Sequence, residues 1–196
     1  MQGFGEVAES LRRLTVQVLS DGGGRGSGSG SGVIWHSSGL IVTNAHVARS
    51  RDPEVKLWDG RQFTGQLLSF DSDRDLAALR ISGNGLPAAV AGDSSALRPG
   101  ELVIASGNPM GFAGALTTGV IHSIGPLPGM GRQGWVRSTV RLAPGNSGGP
   151  LANAHGHVIG INTAIVYGLG AAVPAHDVIR FVRETIAQLR GRAEAA

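Results

Sequence analysis

Seven residues, PGNSGGP from Pro144 to Pro150, enclose a serine between glycines that permit a sharp turn and close approach of a substrate backbone. Ser147 is the candidate nucleophile. Its alkoxide would attack a carbonyl carbon and create an oxyanion, and a turn of this shape can aim the N–H groups of Gly145 and Ser147 at that charge, with Asn146 completing the hole between them. A serine hydroxyl needs a base, and His46 stands in TNAHV at the end of an apolar run that can carry it into a cleft. The third member is a buried carboxylate that fixes the imidazole tautomer. Asp75 in DRDLAAL directly precedes an apolar segment, whereas Asp71 and Asp73 read as loop carboxylates.

The order His, Asp, Ser is that of trypsin-like proteases and differs from that of subtilisins and α/β-hydrolases. GNSGG also fits the Gly-x-Ser-x-Gly turn of esterases, but that fold needs its acid and histidine after the serine, where only about fifty residues and one helix remain. The glycine-serine run from Asp21 to Gly32 lacks the lysine and the following helix of a phosphate-binding loop. It reads as a mobile loop feeding the next strand. His155 and His157 sit in NAHGH, a hairpin turn with Gly156 at its tip, and are expected to decorate a turn rather than ligate metal. His36, His122 and His176 have no partner pattern around them.

These groups must be positioned by the elements between them. Thirty-two glycines and nine prolines punctuate short runs rich in Val, Ile and Leu, which argues for many strands joined by tight turns. Val7, Leu11 and Leu14 recur at helical spacing before the alternating TVQVLS, so a short helix opens the chain. Strand-like runs follow at VIWHS, LIVTNAHV, EVKLW, QFTGQLLSF and LAALRI, then at ELVIAS, LTTGVIHSI, WVRSTVRL, GPLANA, HVIGINTAI and GLGAAVP. The expected fold is all-β: two six-stranded antiparallel β-barrels, about 14–90 and 100–175, in one domain spanning 1–196. After Pro174 the period changes. Val178, Ile179, Val182, Ile186 and Leu189 mark one face of a closing helix over 176–190.

Hydrophobic residues make up 41% of the 196 and charged residues 16%, the balance of a folded chain. The net charge is only +3, and all but Lys56 of the seventeen basic residues are arginines, scattered without the aromatics of a base-stacking surface. No nucleic-acid partner is expected. Without cysteine, disulfides and thiolate metal sites are excluded. The first residues lack the basic start and apolar core of a secretory signal, and no apolar run reaches the length of a membrane span.

Through GSGVIW, IVTNAHV, DRDLAALRI, GNPMGF, TTGVIHSIG, APGNSGGPL and GHVIGINTAI, in that order, the chain resembles the HtrA/Deg family of serine proteases from about Thr15 to Val178. The resemblance implies ATP-independent endoproteolysis of unfolded or damaged protein, without a cofactor, by His46, Asp75 and Ser147. It further implies a preference for small or medium aliphatic residues before the cut, a bacterial extracytoplasmic setting, and assembly as a homotrimer through the amino-terminal segment, where Phe4 is the candidate contact. By position, Leu142 and Val166 would line the primary pocket, and Thr163, Ala164 and Ile165 would pair with substrate backbone as an added strand. Arg141, six residues before the serine, is expected to point away from that pocket.

The chain departs from the family at Thr139, where an aspartate is usual, and in the short loop from Tyr167 to Gly170. No counterpart of the family's common PDZ domain follows the closing helix in this sequence. Asn146 replaces the aspartate that pairs with a cut amino terminus in digestive enzymes, so activation by amino-terminal cleavage is not expected; loop order and assembly would control the site instead. The alternative reading is a protease-shaped binding or regulatory module with a resting oxyanion turn.

Overall fold

The computed structural model describes residues 3–21, 27–128 and 133–194. Helix α1 (Phe4–Leu14) buries Val7, Leu11 and Leu14, the face read from the sequence. Seven strands follow: β1 (Thr15–Asp21), β2 (Ser27–His36), β3 (Leu40–Thr43), β4 (Glu54–Lys56), β5 (Gln62–Thr64), β6 (Gln66–Asp71) and β7 (Leu76–Arg80). A second set comprises β8 (Leu102–Gly107), β9 (Ala115–Pro126), β10 (Gly134–Ser138), β11 (Pro150–Asn153), β12 (Val158–Val166) and β13 (Leu169–Pro174), and helix α2 (Ala175–Glu194) ends the chain. No helix among the described residues is long and apolar enough to cross a membrane.

The second lobe is the expected six-stranded closed barrel, in the order β10-β13-β12-β11-β8-β9. The first lobe corrects the expectation. It is a seven-stranded sheet, β5-β4-β1-β2-β3-β7-β6, whose end strands do not pair. The run QFTGQLLSF, read as one strand, divides at Gly65 into β5 and β6. Gly65 and Leu67 donate their N–H groups to the carbonyls of Pro53 and Arg51 at 2.8 and 2.9 Å, which draws β6 towards the segment entering β4. Pro53 has no N–H to return, so the contact is one-sided at that residue.

The glycine-serine run is the second correction. Residues 22–26 lie outside the described residues, but 27–32 form the first half of β2 and pair with β1 from Thr15↔Val33 to Asp21↔Ser27. Composition suggested a flexible linker, whereas the informative feature is its period of two. Gly30 and Gly32 face the first-lobe interior, and a Cβ at Gly30 would come within 2.7 Å of both Val47 methyls. Ser31 points the other way and is wholly buried.

Two further boundaries move. WVRSTVRL forms a strand only to Ser138, because Thr139 leaves the β10 ladder: its N–H donates to the Val120 carbonyl, and its hydroxyl accepts the Val120 N–H, both at 3.0 Å. On α2 the buried residues are Ala175, Asp177, Val178, Phe181, Val182 and Thr185, while Ile186 is exposed. Val178 and Val182 lie on the buried face as expected, but Phe181 and Thr185 share it in place of Ile186. The short loop is a two-residue hairpin turn in which Tyr167 and Gly168 both take positive φ, 51° and 78°.

Candidate active site

Strand β3 ends at Thr43, and the carbonyl of Asn44 then accepts the N–H groups of Val47 and Ala48 at 3.1 and 3.2 Å. This turn lifts His46 out of the sheet, so His46 comes from the turn after the strand rather than from the strand itself. Arg49 Nε pins the turn by donating to the His46 carbonyl at 2.8 Å.

Asp75 immediately precedes β7. Its Oδ2 lies 2.8 Å and its Oδ1 3.0 Å from His46 Nδ1, and Oδ1 also accepts the His46 backbone N–H at 3.0 Å. With Nδ1–H held by the carboxylate, Nε2 is left as the basic nitrogen. Asp75 was expected to be buried, but its side chain is 21% exposed and that of His46 43%. The core begins one residue later, at Leu76, and Asp75 occupies the rim. It adopts φ 53°, left-handed backbone that an L-residue keeps only where its surroundings impose it.

Ser147 approaches from the second lobe. Its carbonyl accepts the Ser31 N–H at 2.8 Å, a contact that the missing side chain of Gly30 permits, since a Cβ there would lie 3.0 Å from that same carbonyl. The other neighbour such a Cβ would meet is Val47, next to His46. The Ser147 hydroxyl donates to the Thr163 carbonyl at 2.9 Å, and among the described residues no hydrogen bond joins it to His46.

The turn before the serine has its carbonyls committed outward. Pro144 accepts from Met110 N–H at 3.2 Å, and Gly145, at φ 103°, accepts from the Ser31 hydroxyl at 2.7 Å. Among the described residues, neither Gly145 N–H nor Ser147 N–H donates to a protein acceptor. The Asn146 N–H donates to the Ala143 carbonyl at 3.0 Å and closes the turn.

Strand β12 pairs with β13 from Gly160 to Val166, with a bulge at Thr163, and with β11 only through Val158–Ile161. Past Ile161 the edge is unpaired with β11, exposed at Ile165 and half-buried at Ala164, while Thr163 is buried with its carbonyl accepting the Ser147 hydroxyl. Leu142 is half-buried against the second-lobe core, where it and Val140 lean over Gly170, and Val166 packs on the neighbouring cluster that includes Ala171 and Val173. Arg141 is exposed, its N–H donating to Thr117 Oγ1 at 3.3 Å. His155 and His157 are exposed at the β11–β12 hairpin, and no group of three or more His, Asp or Glu among the described residues could hold a metal ion.

This combination of lobes, carboxylate-bound imidazole and glycine turn has relatives. Residues 30–161 match the trypsin-like peptidase domain family. The chain belongs to that family. It is 42% identical over 168 residues to the putative serine protease HhoA of a Synechocystis species, covering 80% of this chain and 42% of that protein. With the probable periplasmic serine endoprotease DegP-like of Hahella chejuensis it shares 38% over 172 residues, 82% of this chain and 37% of the relative. The solved HtrA-type protease AlgW with a tripeptide superposes with a TM-score of 0.88 at 32% identity, covering 94% of this chain and 64% of that one. The HtrA/Deg resemblance of the motifs is thus borne out, and the chain spans about a third to two fifths of the length of the curated relatives it matches.

Sequence reasoning passed over Ser31, Asn44 and Asn108, all buried polar residues around the turn. Ser31 was hidden in the glycine-serine run, although a serine recurring between glycines at period two already marks one face of a strand. Asn44 was visible as the polar residue between an apolar strand and His46.

Proposed function

We propose that this domain is a serine endopeptidase that cuts unfolded or damaged polypeptide, in the manner of HtrA-type protein quality control, with His46, Asp75 and Ser147 as its triad. The observation that carries the reading is the two-oxygen contact of Asp75 with His46 Nδ1, beside a turn whose Gly145 and Ser147 N–H groups are unengaged. The Ser147 hydroxyl leaves the Thr163 carbonyl, passes its proton to His46 Nε2 and attacks the scissile carbonyl carbon. Gly145 and Ser147 N–H groups hold the oxyanion. His46 then protonates the leaving amine, Asp75 stabilising the imidazolium, and water releases the acyl group from Ser147 by the same relay.

The open edge at Thr163, Ala164 and Ile165 would take the substrate backbone as an added strand, and Leu142 and Val166 would select a small or medium aliphatic side chain. HtrA-type relatives solved with a tripeptide and with a decapeptide agree with peptide as the class of ligand. An extracytoplasmic setting follows the relatives named as periplasmic. Phe4, 59% exposed on α1, is the candidate contact for a homotrimer.

One observation favours the second reading, a resting or peptide-holding module: the Ser147 hydroxyl is bonded to Thr163 rather than to His46. Cleavage of unfolded casein by the parent and by Ser147→Ala, each with and without a fluorophosphonate, separates the two. Cutting and labelling by the parent alone supports the protease. A parent that does neither leaves the holding module.

A further inference from the structure

Asn44 is wholly buried between β3 and the turn that carries His46. Its side-chain nitrogen donates to the Asp75 carbonyl and to Thr163 Oγ1, both at 2.9 Å. Its backbone carbonyl closes the His46 turn, and the carbonyl of Thr163 holds the Ser147 hydroxyl. One residue therefore touches the segments bearing the imidazole and the carboxylate and, through Thr163, reaches the hydroxyl supplied by the other lobe.

We propose that Asn44 is a positioning residue for the triad, acting through the Asp75 peptide. An amide nitrogen has two N–H groups, and here each serves a different lobe. The bond to Asp75 falls on the residue whose left-handed backbone most needs an external hold. Were that peptide to relax, Oδ1 would lose its simultaneous contacts with the backbone N–H and Nδ1 of His46. Among the described residues, Asn44 Oδ1 meanwhile accepts no hydrogen bond. A buried, unpaired acceptor opposes folding, so packing alone would favour an apolar residue at this position. The donors, not the bulk of the side chain, account for an asparagine here.

This inference rests on the protease reading, and the experiment keeps the two apart. Asn44→Ala and Thr163→Val are compared with the parent by turnover of fluorescein-labelled casein and by the low-field proton resonance of His46 Nδ1–H, assigned by its loss in His46→Ala. Asn44→Ala should lower kcat about tenfold or more with KM little changed, and broaden or abolish the resonance. Thr163→Val cuts the link to the second lobe but leaves the Asp75 bond, so it should keep the resonance. If Asn44→Ala melts too low to assay, Asn44→Ser is measured in its place. Retention by the Asn44 variant of both the resonance and kcat within about twofold would overturn the proposal. So would equal losses of kcat in both variants with the resonance intact, which would reduce Asn44 to a packing link between lobes. A parent that neither cuts casein nor reacts with a fluorophosphonate would count against the protease reading alone, since the resonance still reports whether Asn44 holds Asp75 against His46.

Discussion

The Ser31 hydroxyl donates to the Gly145 carbonyl at 2.7 Å while accepting the Asn108 N–H at 2.8 Å. The first-lobe strand β2 thereby holds the turn of the second lobe with its carbonyl outward. Replacing Ser31 by alanine frees that carbonyl and strands the Asn108 N–H. Loss of a direct oxyanion donor costs roughly a hundredfold or more in kcat, and an indirect hold should cost less, on the order of tenfold. Ser31→Ala is expected to show that fall in kcat with KM changed by less than about threefold, measured on labelled casein. An unchanged kcat would mean that the turn keeps its shape without Ser31.

Asp75→Asn leaves the shape of the side chain but favours the wrong imidazole tautomer, because an amide nitrogen facing Nδ1 asks it to accept rather than donate. A drop in kcat on the order of 10⁴-fold is expected. Thermal melting should move by only a few degrees, since both side chains lie at the rim. A rate within about tenfold of the parent would remove Asp75 from the triad.

Gly30→Ala tests the reading of β2 as a close-packed strand. The added methyl meets both Val47 methyls and comes near the Ser147 carbonyl, so overpacking of about 1–3 kcal/mol is expected, read as a lower urea midpoint. The Ser31–Ser147 backbone bond should lengthen and activity fall with it. A neutral outcome would mean that Val47 can move aside.

These residues also show what was legible in the sequence. The three candidate residues and their order could be picked out because Ser147, His46 and Asp75 each carry a local signal, a glycine turn or an apolar boundary. The helices were readable from period, although Phe181 and Thr185 rather than Ile186 share the buried face of α2. Strand continuity was not readable at Gly65, where the chain turns to meet Pro53, nor in the run 27–32, where composition masked alternation. At Pro53, which has no N–H, the segment before β4 can accept from Gly65 but cannot return a bond there. Asn44 and Ser31 act through contacts with residues distant in sequence, Thr163 and Gly145, and one-dimensional patterns carry no sign of those.

Asp71 gives a pH dependence of stability. Partial burial works against its ionisation, but the N–H and guanidinium of Arg74 outweigh it and hold the carboxyl below its ordinary value. Arg74 Nε donates to Asp71 Oδ2 at 2.6 Å, and the same guanidinium bridges to Glu184 on α2. A depressed folded pKa contributes stability that is fully present above the unfolded value, about 3.9, and is lost as pH falls through the folded one. The urea midpoint should therefore fall more steeply below about pH 4 in the parent than in Asp71→Asn, with Asp71→Asn the less stable at pH 7. Parallel curves would show that Asp71 contributes nothing to the acid limb.

Specificity offers the last test. Leu142 and Val140 already lean over Gly170, where an added Cβ would lie 3.1 and 2.8 Å from them, so little room is left beside Leu142 for a large side chain. Leu142→Ala should open that space. Differences of one or two methylenes in an apolar pocket change kcat/KM by about 10–200-fold, and a shift of at least tenfold from valine towards phenylalanine before the cut is expected in a peptide-library digest. Arg141 is exposed, with its backbone rather than its charge engaged, and Arg141→Ala should leave the rank order of residues intact. If Arg141→Ala instead abolished cleavage after acidic residues, the guanidinium would reach the pocket base.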